Sequence, residues 1–134
     1  MSDYPQSKFT APKISGKWKY WANSQGLASS AISEVISNLN GVIDIKQNNL
    51  FFNYRNNELN FDRLGTFVKI NDSKNSGKSN WMASCVNNVD GATLNLYPYF
   101  YKNGKPTRMT GTNIVPGPLK SDPVVVYTIY YKKI

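Results

Sequence analysis

The sequence predicts a mainly β domain. We expect a small β-barrel or β-sandwich of eight or nine antiparallel strands, with one amphipathic helix near residues 25–39. Three observations predict it. After Gly41, turn-forming clusters recur about every eight to twelve residues. The segments between them alternate apolar and polar side chains, the period of a half-buried strand. One stretch, Leu27 to Leu39, changes to three- and four-residue spacing, the period of a helix.

The elements follow in chain order. Residues 1–13 are polar, punctuated by Pro5 and Pro12, and lack any period. They are expected to form an extended arm, disordered or lying over something else. The single β-rich domain then occupies 14–134. In Lys17-Trp18-Lys19-Tyr20-Trp21, Trp18 and Tyr20 point one way and Lys17, Lys19 and Trp21 the other. Leu27, Ala28, Ala31, Ile32, Val35, Ile36 and Leu39 form the helical stripe, with Ser24 as N-cap and Asn40-Gly41 as the stop. The polar side of that helix holds Glu34 and no basic residue, which suits docking on a sheet rather than on a membrane.

Strands are then expected at 42–46, 50–54, 59–62, 66–70, 80–86, 93–101, 107–115 and 124–132. Gln47-Asn48-Asn49 is a hairpin turn in which Asn tolerates positive φ, and Lys102-Asn103-Gly104-Lys105 is a stronger one. In 93–101, Leu94, Leu96, Pro98 and Phe100 oppose Thr93, Asn95, Tyr97, Tyr99 and Tyr101. Pro98 has no amide donor, so it belongs at an edge or beside a bulge.

Composition excludes most catalysis. The 134 residues contain no His and one Cys, which removes His-based triads, His metal ligands, internal disulfides and Cys-rich zinc sites. Cys85 has no neighbouring base and reads as a small core residue. The carboxylates are few and scattered. Ser76-Gly77-Lys78-Ser79 resembles the tail of a phosphate loop, but the first glycine of that pattern is replaced by Asp72. The chain is expected not to be an enzyme and to use no cofactor and no metal.

The net charge of +8 favours acidic partners and solubility. Thirteen of the 16 cations are Lys, which argues against bidentate base reading by Arg. No secretory signal and no apolar run of about 20 residues is present, so no membrane span is expected and the chain reads as cytoplasmic or virion-associated.

Aromatic residues interleave with cations in three places: Lys17 to Trp21, Tyr97 to Arg108, and Tyr127 to Lys133. Such clusters suit base stacking with phosphate pairing, or a protein contact surface. Strand parity assigns half of each cluster to the core. The candidate interaction surface is Tyr97, Tyr99, Tyr101, Lys102, Lys105 and Arg108.

Gly16-Lys17-Trp18 opening the first strand, a helix after it, consecutive hairpins and a closing strand together resemble the calycin layout. The fatty-acid-binding branch is similar in length and in its helical segment after the first strand. The resemblance covers about residues 14–133. Gly91-Ala92-Thr93-Leu94 through Lys102-Asn103-Gly104-Lys105 looks like a late hairpin of that family, and Tyr127 to Lys133 like its closing strand. Two departures stand out: the closing strand lacks the Arg that binds a ligand carboxylate, and one helix replaces two. The resemblance implies a hydrophobic ligand inside a barrel, with Trp18, Phe52 and Phe100 as lining.

Three functions are therefore expected, in this order. The first is a structural subunit of a larger assembly, such as a virion or phage particle, with other protein subunits as partners. The second is a calycin-like carrier of a small hydrophobic ligand. The third is a single-stranded nucleic-acid-binding module that uses the basic surface.

Overall fold

The computed structural model describes residues 11–23, 39–56, 61–70, 81–86, 91–116 and 125–134. The strands are β1 (Gly16–Asn23), β2 (Asn40–Asn48), β3 (Phe51–Asn56), β4 (Phe61–Lys69), β5 (Trp81–Val86), β6 (Thr93–Lys102), β7 (Lys105–Val115) and β8 (Val125–Lys133). Each pairs antiparallel with the next, and β8 returns to β1, so they close a barrel in chain order. Closure removes the free edges that an open sheet would expose.

Alternation decides which side chains fill the barrel. Trp18 and Tyr20 are buried while Lys17, Lys19 and Trp21 face outward, as the sequence predicts. Ile43, Ile45, Phe52, Tyr54, Leu94, Leu96, Met109, Ile129 and Tyr131 complete the interior. Eight strands leave an interior that such side chains can fill. Two inward glycines make room for rings. A Cβ on Gly65 would lie 2.3 Å from Phe52 Cζ, and one on Gly111 would lie 2.9 Å from Tyr131 Cε1.

Gly65 also explains the strand count. The sequence suggests separate strands at 59–62 and 66–70. The structure runs one strand, β4, through Gly65, since the missing side chain is where Phe52 packs. The helix expected near 25–39 lies outside the described residues except for Leu39, and no helix occurs among the described residues. The Ser76 to Ser79 segment also lies outside them.

Of residues 1–13, expected to form the arm, only 11–13 are described. Ala11 and Pro12 are buried and Ile14 is fully so. Gln47 holds this stretch. Its amide accepts from Ile14 N at 2.7 Å and donates to Pro12 O at 2.8 Å and Asn49 O at 3.0 Å. Trp18 Nε1 donates to Ile14 O at 2.8 Å. Lys133 Nζ from the closing strand lies 5.7 Å from the centre of the Trp18 ring, a cation–π distance. Ala11–Ile14 and Trp18 thus close one end of the barrel.

Both hairpin turns follow from residue chemistry. Asn103 and Gly104 have φ of 53° and 77°, the paired positive values of a type I′ turn. Asn49 has φ of 57° in the β2–β3 connection, where Asn48 pairs with Phe51. Pro98 sits beyond Leu96, the last β6 residue registered with β5, so its missing donor falls at a local edge. Two residues on, Phe100 has φ of 54°, costly for a bulky side chain, and the alternation breaks there.

Candidate functional site

Two surfaces emerge from the same alternation. The first lies inside, at the end of the barrel opposite Trp18. There the C-terminal halves of β1, β3 and β7 and the N-terminal half of β8 bring Tyr20, Tyr54, Asn56, Asn113 and Tyr127 inward, and Tyr131 reaches Tyr54 from the C-terminal half of β8. The Tyr54 and Tyr131 hydroxyls share a hydrogen bond of 2.7 Å. Asn56 Nδ2 donates to the Tyr54 hydroxyl at 3.2 Å, and the Tyr20 hydroxyl donates to Asn56 Oδ1 at 3.5 Å. Burial pushes the Tyr54 and Tyr131 hydroxyls well above the ordinary tyrosine range, so both stay protonated donors. Cys85, also buried, has its thiol pushed up to about 12 by the same desolvation. It is an inert core thiol rather than a nucleophile.

Asn113 stands opposite Tyr127 across β7–β8. Its Nδ2 donates to the Tyr127 hydroxyl at 2.7 Å. Its Oδ1 is buried with no hydrogen-bond partner, while the residue itself is only 2 % exposed. An orphaned buried acceptor costs about 1–3 kcal/mol. Turning the amide over would change which atom is orphaned without removing the orphan.

The second surface is the outer face of β1, β8, β7 and β6. Directly paired residues point to the same side of a sheet, so the register defines rows. Lys19 pairs with Lys132, Lys132 with Arg108, and Arg108 with Tyr99. The neighbouring row runs Trp21, Tyr130, Thr110 and Tyr97. Trp21 and Tyr130 stack, with centroids 5.9 Å apart and planes 25° apart. The ion pairs among the described residues, Lys46–Asp44 and Arg55–Asp62, lie on other strands.

The residues singled out from sequence divide between these places. Tyr97, Tyr99 and Arg108 lie on the outer face. Tyr101, Lys102 and Lys105 are exposed around the β6–β7 turn. Trp18 and Phe52 line the interior, where both are packed. Phe100 does not join them: it is 64 % exposed and stacks edge-on against Tyr99 at 4.7 Å. Its positive φ takes it out of the alternation that had placed it with Leu94 and Leu96.

Sequence reasoning missed Asn113, Asn56 and the Tyr54–Tyr131 pair. The available signal was an Asn at an inward position of β7, in step with Met109 and Gly111. Among the described residues no group of three or more His, Cys, Asp or Glu could hold a metal ion, and no helix is long and apolar enough to cross a membrane. No family model matches the chain, and no curated protein and no solved structure matches it.

Proposed function

We propose that the chain is a non-enzymatic, calycin-like carrier. It takes a small apolar molecule bearing an O–H or N–H donor at the end of the barrel opposite Trp18, against Asn113 and Tyr127. The observation that carries this reading is the buried, unpartnered Asn113 Oδ1. A buried amide acceptor without a protein partner inside a barrel is a ready partner for a ligand donor, because satisfying it recovers a desolvation cost. The eight-strand antiparallel meander and the Gly16-Lys17-Trp18 opening support the calycin resemblance. The rest of the barrel is filled by Trp18, Phe52, Leu96, Ile129 and their neighbours, so the ligand belongs at the polar end and is small.

Ala11, within the expected arm, and Ile14, at the start of the expected domain, pack into their own barrel, which supports a closed carrier.

A thermal-shift screen of phenols, indoles and short-chain alcohols, each beside its methyl ether or N-methyl counterpart, tests the proposal. Ligands that bind only the folded state raise the melting midpoint with concentration. The donor-bearing compounds should do so, their capped counterparts should not, and Asn113→Leu should abolish the shift. No shift with any compound, or equal shifts in Asn113→Leu, would overturn the proposal.

A further inference from the structure

We propose that the outer face of β1, β8, β7 and β6 binds single-stranded nucleic acid, with Lys19, Lys132 and Arg108 on phosphates and Trp21, Tyr130 and Tyr97 beneath bases. This surface is separate from the barrel interior and stands whether or not the carrier reading does.

The first argument is the charge row. Lys19, Lys132 and Arg108 are directly opposed across three adjacent strands. Neighbouring strands lie about 4.8 Å apart, so three like charges fall within about 10 Å of sheet. Like charges directly opposite one another disfavour a sheet. No ion pair among the described residues neutralises them, since the acids Asp44 and Asp62 are engaged with Lys46 and Arg55 elsewhere. Such a row is complementary to a chain of closely spaced anions.

The second argument is the aromatic row beside it. Trp21 and Tyr130 lie one outward step along β1 and β8 from Lys19 and Lys132, about 7 Å away, and Tyr97 lies one step from Tyr99 on β6, across Thr110 from Tyr130. Trp21 and Tyr130 are stacked and lie on the outside of the barrel, where burial gives no reason for them. A surface with phosphate-pairing cations along one line and flat rings along the next matches a strand whose bases are unpaired. A duplex hides its base faces and leaves the rings without a partner. Trp and Tyr also suit protein and membrane interfaces, and the competition and vesicle measurements below separate those partners from a single strand. The excess of Lys over Arg suits phosphate contact without base reading.

Fluorescence anisotropy with a labelled oligothymidylate tests this on the full chain. Binding should weaken with salt, as displaced counterions require. Lys19→Ala/Lys132→Ala should reduce affinity at least tenfold and flatten the slope of log affinity against log salt by about 1.4. Trp21→Ala/Tyr97→Ala should reduce affinity about tenfold and leave the slope unchanged. Circular dichroism and a thermal melt verify that both variants fold. Competition by heparin or duplex DNA equal to that of unlabelled oligothymidylate, with the aromatic variant unaffected, would overturn the single-strand assignment. So would the absence of binding at low salt, or preferential capture by phosphatidylserine vesicles.

Discussion

The inner and outer faces of β8 both carry tyrosine and behave as opposites. Tyr127, Ile129 and Tyr131 point inward, and Thr128, Tyr130 and Lys132 point outward. Inside, the Tyr131 hydroxyl pairs with Tyr54, and the Tyr127 hydroxyl accepts from Asn113. Outside, Lys132 faces like charge on both sides, from Lys19 and Arg108. The inner rings pack the barrel, with the Asn113–Tyr127 pair as the proposed ligand contact, whereas under the nucleic-acid proposal the opposed outer cations cost stability until a partner binds. One residue of register therefore moves a β8 side chain from one proposed site to the other.

That contrast can be broken most forcefully from inside. Trp18→Ala removes a fully buried ring, its hydrogen bond to Ile14 and the platform under Lys133. We expect a loss of about 3–5 kcal/mol in urea unfolding. Tyr54→Phe keeps the packing but strips a partner from Tyr131 and Asn56, with an expected cost of about 1–3 kcal/mol.

Alkaline pH sharpens the same point without mutation. Cys85, Tyr54 and Tyr131 all hold their protons more tightly in the folded chain, because burial penalises their charged forms. The unfolded chain releases these protons first, near the ordinary values of 9.0 and 10.0. Their contribution is thus complete below pH 9.0 and is lost progressively as pH rises toward about 12. Melts across that range should show falling stability, and a midpoint that rises with pH would contradict it. In the folded protein, iodoacetamide should modify Cys85 only as fast as the barrel opens.

The smallest expected effect is on the outside. Lys132→Ala should change stability by no more than about 0.5 kcal/mol, in the stabilising direction and more so at low salt.

Much of this partition is legible in the sequence. Period-two spacing separates Trp18 and Tyr20 from Trp21, and Asn103-Gly104 declares its turn, because both are local rules. What escapes has a non-local cause. The single strand β4 runs through Gly65 because Phe52 occupies its missing side chain. Phe100 adopts a φ that its bulk disfavours, so no propensity marks it. The arm's end shows no period because Gln47, 35 residues from Pro12, holds it. The cationic clusters of β1, β7 and β8 become one face only through the closing β8–β1 pairing.

The division between a stabilising interior and a charged face held for a partner is tested most directly by equilibrium urea unfolding of Lys19→Ala/Lys132→Ala against the parent at low ionic strength. The account predicts that the double variant is at least as stable as the parent, with the difference vanishing as salt is added. A clear loss of stability in the variant would show that the cation row supports the fold, and would contradict it.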